Sequence, residues 1–191
     1  MLSLEEIKRH IEADASSTKK KHAKEGQRYY EGVHDIQQFR IMFLNKDKKL
    51  QEDKVKSNIK ICHPFFTELV DQEVQYMLSG PDGFVRSDNT ELQKHLDAYF
   101  NDDEDFMAEL YEVITGCVAK GFEYAYAYKN TEGRTAFQCA DSIGVVEVKA
   151  KETDDHCDYV IYHYVDRISS ENKKITRIQV WDERQTYFYV Q

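Results

Sequence analysis

Apolar side chains are sparse along the first thirty residues, at Leu4, Ile7, Ile11 and Ala15, and nothing before Gly26 breaks a helix. Ser3 followed by Glu6 forms a capping box, in which each side chain satisfies the other's free backbone N–H. The pattern predicts one helix from Leu4 to about Tyr30, stopped at Gly32. Its middle, Ser16-Ser17-Thr18-Lys19-Lys20-Lys21-His22, is polar all round and has little face to bury alone. The segment is expected to be a solvated, frayed N-terminal arm, or else an arm that docks on a neighbouring subunit. Residues 45–57 are almost wholly charged or polar with no period, and are expected to form a loop.

The strongest helical pattern follows. Pro64 suits a first turn, where its missing N–H is harmless. Phe66, Leu69, Val70, Val74, Met77 and Leu78 recur at helical spacing, and Gly80-Pro81 ends the run. A helix over 64–79 is predicted, with Leu69, Val70 and Val74 against a helix at 104–120. A further helix starts at Asn89 or Thr90. The helix at 104–120 is capped by Asn101 or Asp102, carries acids at its positive end, buries a stripe from Phe106 to Val118 that includes Cys117, and is closed by Gly121. Beyond residue 121 the period becomes two. Strands are predicted at 122–128, 134–140, 143–149, 157–165, 174–182 and 185–190, the last three as a meander. Helices first and strands second give an α+β fold, mostly antiparallel. The expected organisation is an arm and polar loop at 1–57, a helical part at 58–121 and a sheet part at 122–191, with 58–191 as one folded unit. The last strand, strongly apolar up to Gln191, suggests a fragment of a longer protein.

Charge narrows the partners. The chain has 191 residues and a net charge of −9, but residues 1–60 hold 14 basic and 10 acidic side chains, and residues 61–191 hold 12 and 25. A tight duplex binder needs a basic excess. Lys19, Lys20, Lys21 and Lys24 would carry any weak nucleic-acid contact. No apolar run is long enough to span a membrane, and the start lacks a signal-peptide core. Cys62, Cys117, Cys139 and Cys157 are widely spaced, as in a reduced, cytosolic chain.

Catalytic patterns are missing: there is no Gly-rich phosphate loop and no nucleophile elbow. Cys62-His63 and His156-Cys157 are adjacent pairs, whose members point apart and rarely share a metal. The acids at 102–105 fan around a helix and read as dipole complements; those at Glu152, Asp154, Asp155 and Asp158 read as a solvated loop. Tyr124, Tyr126 and Tyr128 share a strand face, and packing explains them better than base stacking, since no cationic groove accompanies them. No cofactor, metal site or enzymatic centre is expected.

An ordered set of elements carries a resemblance. Asn58, Ile59, Phe65, Leu69, Val70, Asp71, Gln72, Val74, Tyr76, Leu78, Gly80 and Pro81 fit a helix pattern of the portal proteins of tailed bacteriophages, in the long-tailed branch. Upstream, Tyr29-Tyr30-Glu31-Gly32-Val33-His34-Asp35-Ile36 resembles that family's Y-Y-x-G-x-H-x-I element. Downstream, the block from Leu110 to Tyr128 through Gly121, and Phe137-Gln-Cys-Ala-Asp141, resemble two more, with Ser142 in place of the family's Pro. The resemblance implies a wing portion of a structural ring subunit, lacking channel, clip and crown. Its partners would be copies of itself, capsid, scaffolding, terminase and connector proteins. DNA would pass through the ring without tight binding, at a capsid vertex of the virion, after assembly in the host cytoplasm. The alternatives are an α+β protein-interaction adaptor and, less well supported, a metal-dependent nuclease or hydrolase.

Overall fold

A computed structural model of the chain describes residues 2–80, 83–151, 153–168 and 173–190. Pro81, Glu152 and Gln191 of the sequence analysis lie outside the described residues. The fold is α+β, with helices α1 (Leu4–Ala15), α2 (Thr18–Tyr30), α3 (Phe65–Leu78), α4 (Thr90–Leu96) and α5 (Glu104–Lys120). Strands β1 (Met42–Leu44) and β2 (Leu50–Glu52) form a hairpin, as do β3 (Tyr124–Lys129) and β4 (Thr135–Ala140). Strands β5 (Val145–Val148), β6 (Tyr159–Ile168), β7 (Lys173–Trp181) and β8 (Thr186–Val190) form an antiparallel meander in sequence order.

Three expectations about residues 1–57 are corrected by the structure. The N-terminal helix is two helices, because Ser17 turns extended and its Oγ accepts the Lys20 N–H at 3.2 Å, capping a second start. The capping box at Ser3 and Glu6 does form, with the Ser3 N–H donating to Glu6 at 2.8 Å. Nor is the arm solvated. Ile7 is 0% exposed and packs with Val146, Val148, Ile161, Ile178 and Val180 on one face of the meander. A sparse apolar stripe suffices when a sheet supplies the other half of the core. Finally, residues 45–57 are not all loop. Asn45 Oδ1 accepts the N–H groups of Asp47 and Lys49 at 3.0 Å, making an Asx turn that closes the β1–β2 pairing.

A second core joins α3 to α5 and α2. Val70 and Val74 are buried with Ala119, and Tyr30, Phe66, Leu78, Ile114 and Val118 pack around them. The expectation that Leu69 belongs to this face is wrong: it is 64% exposed. α3 is apolar on two sides, so its period alone does not choose the inward one. On α5 the N-cap is Asp103, whose side chain accepts the Phe106 N–H at 2.9 Å, and Cys117 is exposed. The buried positions there are Gly116, which lies against Glu123, and Ala119, where α2 comes close. A Cβ built on Gly26, in mid-α2, would strike the Ala119 carbonyl oxygen. In an exposed helix, Gly→Ala gains about 1 kcal/mol. Here Gly26→Ala is expected to destabilise by about 1–3 kcal/mol, the cost of overpacking against rigid backbone. Urea unfolding checks it; a stabilised variant would show that α2 and α5 are further apart.

Candidate functional site

Beside the apolar Ile7 core, α2 and α5 meet the start of the meander through polar groups, and two lysines make this joint. Lys20 leaves α2 and turns inward; it is 2% exposed. Its ammonium donates to the carbonyl oxygens of Ser142 and Val145 and pairs with Asp14 at 3.2 Å. Burial pushes its pKa below the usual lysine value, against the pull of Asp14. Lys120 ends α5 and pairs with Glu123 and, at 2.8 Å, with Asp141. Burial opposes its charge, yet hydrogen bonds to Asp141 and Glu123 hold its pKa above the lysine norm. Glu123 also accepts the Ser142 N–H. Gly116 leaves room for that carboxylate, which a Cβ there would overlap. The turn between β4 and β5 is thus gripped from both sides, with Gly121, at a left-handed φ of 87°, letting the chain reverse after α5.

A second latch ties α2 to α3. The Tyr30 hydroxyl donates to Asp71 at 2.9 Å, and the Thr67 hydroxyl donates to the Tyr30 carbonyl at 2.8 Å. Gly32, at φ 77°, turns the chain just beyond. Burial, and then the bond to Asp71, raise the Tyr30 phenol from 10 to about 12. Between pH 10 and about 12 the unfolded chain loses this proton while the folded chain keeps it, so stability falls as pH rises. Tyr30→Phe removes that share, and its unfolding midpoint is expected to decline less steeply than the wild type's across the window. An equal slope would mean that Tyr30 titrates alike in both states.

The remaining sequence-selected residues do not gather into one site. Asn58 donates to the Phe39 carbonyl at 3.1 Å, at the base of the β1–β2 hairpin. Gln72, Gly80 and Asp141 are exposed. Of the four lysines chosen as nucleic-acid contacts, Lys20 is corrected, since its charge is spent internally. Lys19, Lys21 and Lys24 stay exposed, with the Lys19 ammonium 3.9 Å above the Phe122 ring. Sequence reasoning missed Gly26, Gly116, Lys120 and Glu123. The one signal available was a glycine placed in mid-helix, which marks a close approach as readily as a break.

Phe65, Leu69, Gln72 and Tyr76 lie at i, i+4, i+7 and i+11 on the outer side of α3, opposite Val70 and Val74. Phe65 is stacked on His63, and Tyr76 is 84% exposed. This is an apolar stripe that nothing in the described residues covers. Among those residues no group of three or more His, Cys, Asp or Glu is placed to hold a metal, and no helix is long and apolar enough to cross a membrane.

A model of the phage portal protein family of the SPP1 Gp6-like type matches residues 9–191. The chain belongs to this family. The match takes in both latches, the outward stripe and both cores apart from Ile7 and Leu2. The portal protein of Bacillus phage SPP1 is 31% identical to this chain over 108 residues, which are 56% of the chain and 21% of that protein. The matched stretch is therefore about a fifth of that portal protein's length.

Proposed function

We propose that this chain is the wing portion of a portal ring subunit, the ring standing at one capsid vertex as the conduit for DNA during packaging and ejection and as the head–tail connection. The observation that carries the reading is the family match, which runs through residues 9–191 and so through helices and meander alike. The geometry supports it. The buried Lys20 ammonium on the Ser142 and Val145 carbonyls and the Lys120–Asp141 pair fasten the helices to the sheet, while an apolar stripe faces outward, as a subunit of a larger assembly needs. The part described here holds the wall of the conduit in place and carries out no reaction; the energy of packaging comes from a separate motor, the terminase. Capsid, scaffolding and connector proteins are its other partners, in the virion and, during assembly, in the host cytoplasm. The net −13 of residues 61–191 fits a surface along which DNA slides without being held. Lys19, Lys21 and Lys24 form a small cluster of exposed positive charge near the sheet, too small for tight binding.

Electron microscopy of the purified product of the complete gene tests the reading. Closed rings with an axial opening are expected. A homogeneous monomer would favour the adaptor alternative and contradict the portal role.

A further inference from the structure

The outward stripe of α3 has a chemical counterpart elsewhere on the same chain. Glu68 and Glu73 flank the stripe, and Phe65–Leu78 carries three acidic side chains and no basic one. The β1–β2 hairpin is the opposite: residues 40–56 carry six basic and three acidic side chains. One of its faces carries three apolar side chains beside the Arg40–Glu52 pair. Leu44 pairs across the strands with Leu50, the two are 66% and 70% exposed, and Met42 lies on the same face at 48%. Its tip, Lys46 to Lys49, is set by the Asn45 turn.

Both surfaces have charges with no partner. Arg40 pairs with Glu52, and Lys56 with Asp53, inside the hairpin. Lys46, Lys48, Lys49, Glu68 and Glu73 make no ion pair among the described residues. Within one copy the two surfaces do not cover each other, since both remain exposed. The hydrogen bonds that anchor the excursion's base, Asn58 to Phe39 and Lys60 to Gln37, also close within it, so the hairpin projects from the body.

We propose that the β1–β2 hairpin of one copy docks on the outer stripe of α3 of a second copy. Met42, Leu44 and Leu50 cover Phe65, Leu69 and Tyr76, and the tip lysines meet Glu68 and Glu73. The contact joins two different patches, so it is heterologous and repeats head to tail. Its charges set direction and register, and its apolar pairs provide most of the buried area. The proposal rests on the ring reading for its biological setting, although the complementarity lies within this chain.

Sedimentation velocity of the isolated chain, up to about 100 µM, provides the test. The wild type is expected to form small, concentration- and salt-dependent oligomers rather than a closed large ring. Charge reversal in the hairpin (Lys46→Glu, Lys48→Glu and Lys49→Glu together) and reversal on the helix (Glu68→Lys with Glu73→Lys) each weaken association by at least about tenfold. Mixing the two reversed chains restores it, because each supplies the charge that the other now needs. Circular dichroism confirms that both variants are folded. A wild type that stays monomeric, reversals without effect, or a mixture that fails to associate would each overturn the proposal. None of these touches the portal role: complete gene product that still forms rings when it carries either reversal would leave that reading intact and refute the hairpin contact alone.

Discussion

Replacing Lys20 with methionine is expected to lower the unfolding free energy by about 3–5 kcal/mol, the cost of breaking a buried ion pair from one side. The side chain is 3% exposed, and its ammonium is the partner of two backbone carbonyls as well as of Asp14. Methionine fills the volume but leaves the Ser142 and Val145 carbonyls without that donor. Lys21→Met, one position on and exposed, serves as control and is expected to change stability by no more than about 0.5 kcal/mol. Urea unfolding of both variants checks the pair. A loss at Lys20 no larger than at Lys21 would mean that Lys20 faces solvent and that the arm is not clasped to the meander.

The second large effect is expected at Ile7. Ile7→Ala should cost about 2–5 kcal/mol, the usual range for truncating a fully buried Leu or Ile. Leu69→Ala should cost no more than about 0.5 kcal/mol, since that side chain lies on the outer stripe and packs on nothing internal. This ordering reverses the one that the sequence pattern suggests, in which Leu69 is core and Ile7 belongs to a solvated arm. Unfolding midpoints of the two variants decide it. A severe Leu69 variant beside a benign Ile7 variant would place α3 the other way round and detach α1.

What was legible in the sequence was local chemistry. Ser3 and Glu6 announced the first helix, Gly121 the end of α5, and alternation the strands of the meander, because each signal depends on neighbours a few residues apart. The fate of the arm was not legible. The partners of Ile7 begin at Val146, and four apolar positions in a polar helix do not reveal a sheet so distant in the chain. α3 misled for a different reason: with Phe65, Leu69 and Tyr76 on one side and Val70 and Val74 on the other, both faces satisfy helical spacing. The β1–β2 hairpin was hidden by its brevity, three residues per strand, although Asn45 gave a readable turn signal. The clasp residues were hidden because lysine in a polar run is normally solvated; only the fold brings Ser142 and Val145 to Lys20.

Family membership was legible before the fold was, through the ordered elements around Tyr30, Leu69 to Pro81 and Asp141, and the match over residues 9–191 bears it out. Within this fold those elements have structural tasks. Tyr30 and Asp71 latch two helices, Gly32 and Gly121 reverse the chain, and Asp141 takes part in the lysine clasp. The outer residues of the same elements, Phe65, Leu69, Gln72 and Tyr76, have no internal task, and an assembly role is proposed for their stripe.

The measurement that bears most directly on the portal role is gold labelling of an epitope tag on the complete gene product in assembled virions. The account predicts label at one vertex of each filled capsid, where head meets tail. Label spread over the shell, or virions that carry none, would contradict it.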